Sequence, residues 1–331
     1  MNFFDQFKNK RVLITGGAGF IGSNLAHYLV KCQAKVTIID SMIPDYGGNL
    51  HNLEGILDKV AINFSDVRDR YGMQYLIKGQ DYLFNLAGQV SHIDSMRDPF
   101  ADLEINAKSQ LSILEACRHF NPEIRIVFAS TRQIYGRAKY LPVDENHPLD
   151  PPDVNGINKL AGERYHTLYS KVYGLHCSVL RLTNVYGPRQ LMKHDRQGFI
   201  GWFIRQIVRG ERIKIFGTGE QKRDLVFVDD VVDALLRAAC SNNANGKIYN
   251  IGGAEPISLK KLVELMIEIN GGGKYELVPF PDERKKIDIG DFYTDYKKIA
   301  NDLGWKPTVL LREGLKRTIE YYRQHGEYYW T

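Results

Sequence analysis

A chain of 331 residues is long enough to bury a large core and to form one or two domains. Its 44 basic residues exceed its 39 acidic residues only slightly and form no long basic run, so nucleic-acid binding is not indicated. The four cysteines are widely scattered without the pairing of a metal site, which favours reduced core residues in a cytoplasmic protein that binds no metal. No cleavable signal pattern and no apolar stretch long enough to span a bilayer is found, so no membrane association is expected.

A glycine-rich stretch follows the first predicted strand. Residues 12–14 are a short apolar run, typical of a buried parallel strand, and residues 20–31 carry apolar side chains at helical spacing. Gly16, Gly19 and Gly22 lie at three-residue intervals across this junction. A turn that binds a pyrophosphate needs residues free of the usual φ restriction, and glycine also lets the backbone come close to the anion. The N-terminus of the following helix then offers its N–H groups to the anion. The stretch therefore predicts a dinucleotide-binding turn.

The second predicted strand ends in an acidic residue. Residues 35–39 are followed by Asp40, which lies 18 residues beyond Gly22. A carboxylate in this place accepts hydrogen bonds from both hydroxyls of an adenosine ribose and repels a 2′-phosphate. Because no arginine follows Asp40 closely, the sequence predicts NAD rather than NADP as the cofactor.

Strands and helices alternate through the first half of the chain. Further strands are predicted at residues 60–64, 81–87, 124–129 and 178–182, and helices at residues 99–119 and 156–173. Because parallel strands need crossover helices that cover both faces, this order predicts an α/β fold with a doubly wound parallel sheet of the Rossmann type. Ligands of such sheets bind beyond the carboxyl ends of the strands. One crevice is therefore expected to contain the residues at those ends, namely Asp40, Asp66, Ala87, Thr131 and Thr183.

The alternation breaks near Gly187. Short strands mix with helices from here on, which predicts a smaller mixed α/β domain that covers the crevice. We predict a first domain of residues 1–186 and a substrate-binding domain of residues 187–331, with residues 229–250 returning to the first domain.

Eight segments together resemble the extended short-chain dehydrogenase/reductases that act on nucleotide-sugars. They are residues 15–22 (TGGAGFIG), Asp40, 66–67 (DV), 85–88 (NLAG), 130–136 (STRQIYG), 158–163 (NKLAGE), 182–189 (LTNVYGPR) and 223–230 (RDLVFVDD). The resemblance runs essentially from end to end and implies a Rossmann fold, NAD as the cofactor and an NDP-sugar as the ligand. It also implies that NAD is bound by Gly16, Gly19, Phe20, Ile21, Gly22, Asp40, Asp66, Val67, Leu86, Ala87 and Lys159.

In that family a Ser or Thr, a Tyr and a Lys carry the chemistry, and the last two lie four residues apart on one helix face. Thr131 and Lys159 match the first and the third of these residues. The resemblance implies that Lys159 holds the nicotinamide ribose and that Thr131 hydrogen-bonds the reacting hydroxyl. The position four before Lys159 holds Asn155, and because an amide has no useful basicity, the usual proton acceptor is absent.

Three side chains are candidates for the missing function. His92 follows the loop where the family's substrate contacts lie, although a loop histidine bound only to its neighbours is an equal alternative. Tyr135 belongs to the strand-end signature, where a tyrosine more often only packs. Asn155 itself could position a water or the substrate, through which the proton would pass.

The resemblance also implies a grip on the diphosphate. Asn184 matches a pyrophosphate-contacting asparagine and Arg223 an arginine that reaches a phosphate. Arg284 or Lys285 loosely matches a second basic ligand. A solvated basic face is the alternative for Arg284 and for Arg223. Arg196 begins a stretch expected to lie over the nucleotide or sugar, with the start of a core helix as an equal alternative.

Arg132 and Gln133 directly follow Thr131, where dTDP-glucose 4,6-dehydratases carry an Asp-Glu pair. An arginine and a glutamine can bind a sugar but cannot easily deprotonate it, so 4,6-dehydration is disfavoured. The sequence thus predicts an NAD-dependent, epimerase-type enzyme in which a hydride leaves a sugar carbon of an NDP-sugar, most often C4, and later returns. The alternatives are a net oxidoreductase that forms a keto-sugar and a weakly active protein that binds NDP-sugar and NAD.

The resemblance further implies a homodimer. In related enzymes the helices that match residues 99–119 and 156–173 pair across a two-fold axis into a four-helix bundle.

Overall fold

The computed structural model describes residues 3–330, apart from the side chains of Phe4, Gln197, Glu283 and Arg284. Within this range, seven parallel strands form the main sheet in the order β3-β2-β1-β4-β5-β6-β11. The strands are β1 (Arg11–Thr15), β2 (Lys35–Ile39), β3 (Val60–Asn63), β4 (Tyr82–Asn85), β5 (Arg125–Thr131), β6 (His176–Leu182) and β11 (Ile248–Ile251). This strand order confirms the predicted doubly wound sheet of the Rossmann type.

Helices cover both faces of this sheet. They are α1 (Phe3–Phe7), α2 (Phe20–Lys31), α3 (Arg70–Leu76), α4 (His92–Arg97), α5 (Pro99–Leu103), α6 (Ser109–Phe120), α7 (Val154–Tyr173) and α9 (Val228–Cys240). The side chains of β1 show why two layers are needed: Val12 and Ile14 pack into the cluster that contains α2 and α9, and Leu13 packs into the cluster of α6. Because successive strand residues point to opposite faces, both faces of the sheet are apolar and buried.

The predicted helix over residues 99–119 is interrupted. A π-helical turn at Glu104–Lys108 separates α5 from α6. The buried side chain of Asn106 lies in this turn and donates to the carbonyl of Gln89 at 2.9 Å. The wider turn therefore brings a polar side chain of this helix to the loop after β4, which is typical of π-bulges near functional sites.

The second half of the chain builds a smaller set of elements around its own hydrophobic cluster. Its strands are β7 (Asn184–Tyr186), β8 (Ile213–Phe216), β9 (Lys222–Arg223), β10 (Leu225–Phe227), β12 (Ile257–Ser258) and β13 (Tyr275–Val278). Its helices are α8 (Phe199–Val208), α10 (Leu259–Asn270), α11 (Asp282–Lys286), α12 (Lys297–Leu303), α13 (Leu311–His325) and α14 (Glu327–Trp330). Strands β7 and β10, β8 and β13, and β9 and β12 form three separate pairs. Three elements of this half belong with the main sheet instead: β11 is its last strand, α9 packs on β5 and β6, and α12 packs on β11. No helix of the described chain has both the length and the apolar character needed to cross a membrane.

One hydroxyl fixes the carboxyl ends of the two central strands. The Oγ1 of Thr15, at the end of β1, donates to Asn85 Oδ1 at 3.0 Å. It also accepts the backbone N–H groups of Leu86 and Ala87 at 3.0 and 3.1 Å. Thr15 is fully buried, and Leu86 and Ala87 are half-buried. The chain therefore leaves β4 in a path set by the hydroxyl of β1.

We expect Thr15→Val to lower the free energy of unfolding by about 1 to 3 kcal/mol, because the N–H groups of Leu86 and Ala87 lose their acceptor while the side-chain shape is kept. Urea denaturation monitored by circular dichroism measures the change. The control is Thr37→Val on β2, since the partly buried Thr37 hydroxyl makes no hydrogen bond within residues 3–330. Equal stability of the two variants would contradict the importance of the Thr15 contacts.

Candidate active site

A cleft opens at the carboxyl ends of β1, β2 and β4. Ten of the predicted cofactor ligands line it, namely Gly16, Gly19, Phe20, Ile21, Gly22, Asp40, Asp66, Val67, Leu86 and Ala87. Lys159 borders the same space, because a Cβ built on the cleft residue Gly88 would lie 2.8 Å from Lys159 Nζ. Thr131 and Thr183 do not line this cleft; they end β5 and β6 further along the sheet edge.

The glycines of the first turn leave space that side chains would fill. Gly16 has φ +67°, and a Cβ there would lie 3.0 Å from the backbone of Ala87. A Cβ on Gly22 would lie 2.3 Å from the carbonyl oxygen of Gly16, so α2 can begin this close to β1 only without a side chain. No side chain caps α2 at Gly19, so the first N–H groups of the helix face the cleft. These features fit the diphosphate of a dinucleotide.

Two carboxylates stand at the far end of the cleft. Asp40 accepts hydrogen bonds from the backbone N–H groups of Ala18 and Met42, each at 3.0 Å. Burial raises the pKa of Asp40, and these two hydrogen bonds act in the opposite direction. Asp66 pairs with the guanidinium of Arg68 at 2.6 Å, and this hydrogen bond lowers the pKa of Asp66. Asp40 keeps further oxygen lone pairs for a ribose, because each oxygen accepts only one bond here.

Sequence analysis missed the wall of the cleft that follows β2. Ser41, Ile43, Tyr46, Gly47 and Gly48 also line it, as do Gln190 and Leu191 from the second half of the chain. The pair Gly47–Gly48 was a usable signal. A Cβ on Gly48 would lie 2.7 Å from Asp40 Oδ1, so this loop folds over the carboxylate only because residue 48 is glycine.

Lys159 lies in the second turn of α7, beneath the end of β5. Its Nζ donates to the carbonyl of Ala129 at 3.2 Å and lies 5.1 Å from the centre of the Phe128 ring. Burial lowers the pKa of Lys159 to about 8, while the charge of Asp102 acts in the opposite direction. Thr131 ends β5 two residues beyond Ala129, and its hydroxyl accepts the N–H of Gln133 at 3.2 Å. The predicted Thr–Lys pair therefore lies at one strand end.

Asn155 lies in the first turn of α7, within a network of buried polar side chains. Its Nδ2 donates to the carbonyl of Gln89 at 2.8 Å and to Asp102 Oδ2 at 3.0 Å. Asp102 is completely buried and also accepts Asn158 Nδ2 at 2.8 Å. The amide nitrogen of Asn155 is engaged in this network and only 2% of the residue is exposed, so Asn155 ties α7 to α5 and to the loop after β4. The role predicted for it, positioning a water or the substrate, would fall to its Oδ1 and stays a prediction.

Tyr135 is also no candidate for the base. The residue is fully buried, donates from its hydroxyl to Asn250 Oδ1 at 2.7 Å and accepts from Arg181 Nη1 at 2.6 Å. Burial raises the pKa of Tyr135 to about 12, although Arg181 acts in the opposite direction. Its ring packs 6.0 Å from the ring of Phe292. Tyr135 therefore has the packing function that was the alternative for this position.

His92 begins α4 on the loop after β4. Its Nδ1 lies 3.0 Å from Asp153 Oδ2, and 34% of the His92 side chain is exposed, whereas that of Asp153 is fully buried. Asp153 caps α7 by accepting the N–H of Gly156 at 2.7 Å, and it also accepts Gln133 Nε2 at 2.8 Å. Burial acts to raise the pKa of Asp153, but the neighbouring His92 and the hydrogen bonds from Gly156 and Gln133 bring it below its usual value. Sequence analysis missed Asp153, although an aspartate directly before a helix is a typical N-cap.

The predicted substrate ligands gather around two guanidinium groups. Arg132 Nη2 donates to Asn184 Oδ1 at 3.1 Å, and its buried Nη1 has no partner within the described chain. Burial, together with the charge of Arg223, lowers the pKa of Arg132 to about 10. Arg223 is itself buried, binds the carbonyl oxygens of Lys222 and Gly290, and lies 3.5 Å from Asp288. Arg132 is half-buried and Arg223 is buried, and the charges of Asp224 and Asp288 act on both of them. The unpaired N–H of Arg132 is therefore the feature that favours an anion here.

The remaining predicted ligands lie elsewhere. Arg196 donates to Asp94 Oδ1 at 2.7 Å and so joins the second half of the chain to α4. Gln133 is buried and bound to Asp153. The side chain of Arg284 lies outside the described residues.

The glycine turn, its open helix N-terminus and the carboxylate at the end of β2 define a dinucleotide-binding α/β protein. Residues 12–252 match the model of the NAD dependent epimerase/dehydratase family. The chain belongs to this family, which confirms the predicted relationship and NAD as the cofactor.

Named relatives match over nearly their whole length. The chain is 35% identical to a putative UDP-glucose 4-epimerase of Methanocaldococcus jannaschii, over 95% of this chain and 99% of the relative. Among solved structures, the UDP-glucose 4-epimerase of Thermotoga maritima with UDP-glucose superposes with a TM-score of 0.86 at 33% identity, over 95% and 99% of the two chains. The UDP-glucuronic acid 4-epimerase of Bacillus cereus, in complex with UDP-glucuronic acid and NAD, superposes with a TM-score of 0.85 at 26% identity, over 95% and 99%.

Lys159→Met is expected to raise the stability of the cofactor-free protein at pH 7 by about 1 to 3 kcal/mol, because it removes a buried charge. A lowered pKa means that the folded chain releases this proton before the unfolded chain does. The free energy of unfolding of the wild type therefore rises between about pH 8 and the ordinary lysine pKa of 10.5. Below pH 8 Lys159 is charged in the folded protein, and its full destabilising effect is present.

Urea denaturation between pH 7 and 10.5 measures both effects, and the exposed Lys306, changed to Met, is the matched control. If Lys159→Met is less stable than the wild type at pH 7 and keeps its pH dependence, the assignment of a destabilising buried charge is wrong.

Proposed function

We propose that the protein is an NAD-dependent epimerase of a nucleotide-diphosphate sugar. The observation that carries this proposal is the placement of Thr131 and Lys159 at one strand end, beside a cleft whose glycines and carboxylate fit NAD. The names of the relatives support the same reaction class. NAD, when bound, would supply the hydride acceptor and donor. Oxidation of a sugar hydroxyl, rotation of the keto-sugar and return of the hydride to the opposite face of the carbonyl together invert the carbon.

Lys159 contributes a buried cation beside the cleft. Because its pKa is lowered to about 8, the group is still mostly charged at pH 7 and can donate to the hydroxyls of the nicotinamide ribose. The hydroxyl oxygen of Thr131 accepts the N–H of Gln133 through a lone pair, and this bond leaves the hydroxyl proton of Thr131 to donate. That proton is available for the oxygen of the reacting sugar carbon, which stabilises the carbonyl as it forms.

In this proposal the diphosphate of the substrate is bound by Arg132, Asn184 and Arg223. The unpaired Arg132 Nη1 supports it most strongly, because a buried guanidinium nitrogen without an acceptor is satisfied by a phosphate oxygen.

Arg132 and Gln133 argue against 4,6-dehydration. Arg132 is cationic and Gln133 is bound to Asp153, so neither can remove a proton from a sugar carbon.

A panel of UDP-, dTDP-, CDP- and GDP-sugars, analysed by chromatography and mass spectrometry, tests the proposal. We expect one substrate to give an isomer of equal mass, without added cofactor and without accumulation of NADH absorbance. We expect Arg132→Ala to raise its KM at least tenfold, while Arg132→Lys keeps part of the affinity. A keto-sugar formed together with NADH would favour the oxidoreductase alternative, and binding without any product would favour the binding protein.

We further propose a homodimer formed through α5, α6 and α7. Their outer surface carries an apolar stripe in which each residue is at least 37% exposed: Phe100, Leu103, Leu111, Ile157, Leu168 and Val172. Ile157, Leu168 and Val172 lie at helical spacing on one side of α7, next to α6. An exposed apolar face of this kind is typical of a subunit interface.

The double variant Ile157→Glu and Leu168→Glu is expected to convert the dimer to a monomer, because it places two carboxylates in an apolar contact that the two-fold axis repeats. Light scattering at micromolar concentration measures the mass. Leu277→Glu, at an exposed site on β13, is the control and should leave the dimer intact. If the wild type is a monomer, the proposed dimer is wrong, while the proposed epimerase reaction stands.

A further inference from the structure

The site as described lacks an obvious proton acceptor. Asn155 replaces the expected tyrosine and is held by Gln89 and Asp102, while Tyr135 is buried between Arg181 and Asn250. Oxidation of a sugar hydroxyl nevertheless releases a proton, so a group near Thr131 and Lys159 must take it. The titratable side chains that the structure brings nearest to the first turns of α7 are His92, Asp102 and Asp153.

The two carboxylates are closed to a substrate. Asp102 is completely buried, and each of its oxygens accepts an amide N–H, one from Asn155 and one from Asn158. Asp153 is 2% exposed and already accepts Gly156 N and Gln133 Nε2. A sugar hydroxyl therefore cannot reach either of them without breaking the start of α7.

His92, unlike the two carboxylates, has a side chain that a substrate can reach. Its Nδ1 faces Asp153 at 3.0 Å, so Nε2, on the other side of the ring, points away from the carboxylate, and a third of the side chain is exposed. Its loop also supplies Gly88 and Val90 to the NAD cleft. The carboxylate that holds the ring is bonded to Gln133, two residues beyond Thr131. His92 is thus attached to both strand ends that border the predicted reaction centre.

We propose that His92 is the general base of this site and that Asp153 is its positioning residue; the inference rests on the proposed function. The Asp153 carboxylate, whose Oδ2 lies 3.0 Å from Nδ1, favours the neutral imidazole that carries its proton on Nδ1, and this form leaves Nε2 with a free lone pair. The O–H bond of the sugar hydroxyl breaks, its proton forms a bond to Nε2, and its electron pair forms the carbonyl, while the C–H bond of the same carbon breaks and its hydride would leave for the NAD that the proposed function names. In the return step the carbonyl carbon would take the hydride back, and the carbonyl oxygen takes the proton from the imidazolium.

Other charges surround His92 from the neighbouring elements. Asp94 on α4 is neutralised by Arg196 at 2.7 Å, and Asp102 on α5 faces Lys159 on α7. Arg97 and Asp98 complete the charged groups of this helix and its end. Asp153 is the one carboxylate within ion-pair distance of the His92 ring in residues 3–330, so its removal should affect the imidazole most directly.

The first test does not depend on activity. In protein labelled with ¹⁵N-histidine, nitrogen chemical shifts should show that neutral His92 carries its proton on Nδ1, and His92→Asn identifies its signals. Asp153→Asn keeps a side chain able to cap α7 but no longer has a carboxylate, so the preference for the Nδ1–H form should be lost. A wild-type His92 protonated on Nε2 would overturn the proposal, because the nitrogen turned away from Asp153 could not accept a proton.

The second test uses the substrate found with the panel. His92→Ala should lower kcat about 10²- to 10⁴-fold, abolish the acidic limb of the pH profile and regain activity with added imidazole, with little change in NDP-sugar affinity measured by calorimetry. Asp153→Asn should lower kcat at least tenfold with a similar KM. His119→Asn, at an exposed site on α6, is the control and should leave both unchanged.

The results separate the two proposals. If the wild type converts the substrate and His92→Ala keeps its rate and pH profile, His92 is not the base, while the epimerase proposal stands. If the wild type converts none of the panel, the proposed function fails whatever the nitrogen shifts show. A loss of kcat that imidazole cannot rescue, with a disturbed circular dichroism spectrum, would assign His92 and Asp153 to folding alone and overturn the inference.

Discussion

The cleft depends on the close passage of two backbone segments. The turn after β1 lies against the loop after β4 because Gly16 has no side chain and adopts a left-handed conformation; a Cβ on Gly16 would lie 3.0 Å from the backbone of Ala87. The hydroxyl of Thr15, at the end of β1, joins the same two segments by accepting the N–H groups of Leu86 and Ala87. These contacts set how the loop that carries His92 leaves the sheet.

The other side of the site is built from buried polar contacts around α7. Two carboxylates organise it: Asp102 holds the amides of Asn155 and Asn158, and Asp153 holds the first turn of the helix, Gln133 and His92. Buried carboxylates are costly unless they are well hydrogen-bonded, and both are. In this account the loss of the family's tyrosine leaves the fold intact, because its position is filled by an amide with its own partners, and base catalysis moves to the neighbouring loop.

Local sequence signals predicted the cofactor half of the site, because its ligands are consecutive residues at the ends of strands. Gly16, Gly22 and Asp40 each follow from one strand and one turn, and the structure brings them into one cleft. The catalytic half joins residues that are far apart in sequence. The pairing of His92 with Asp153, and of Gln89 with Asn155, depends on how α4 and α7 pack, which no local pattern reveals. For the same reason the sequence could not show that Tyr135 is closed between Arg181 and Asn250.

The proposed reaction requires that a hydride leaves a sugar carbon and returns to the same molecule, and labelling with deuterium follows this hydride. The NDP-sugar that the protein isomerises is prepared with deuterium on the carbon whose configuration changes, and the product is analysed by mass spectrometry and NMR in ordinary water. The epimer is expected to keep the deuterium on that carbon without any added cofactor. Loss of the label to water would show inversion through proton abstraction from carbon and would rule out hydride transfer.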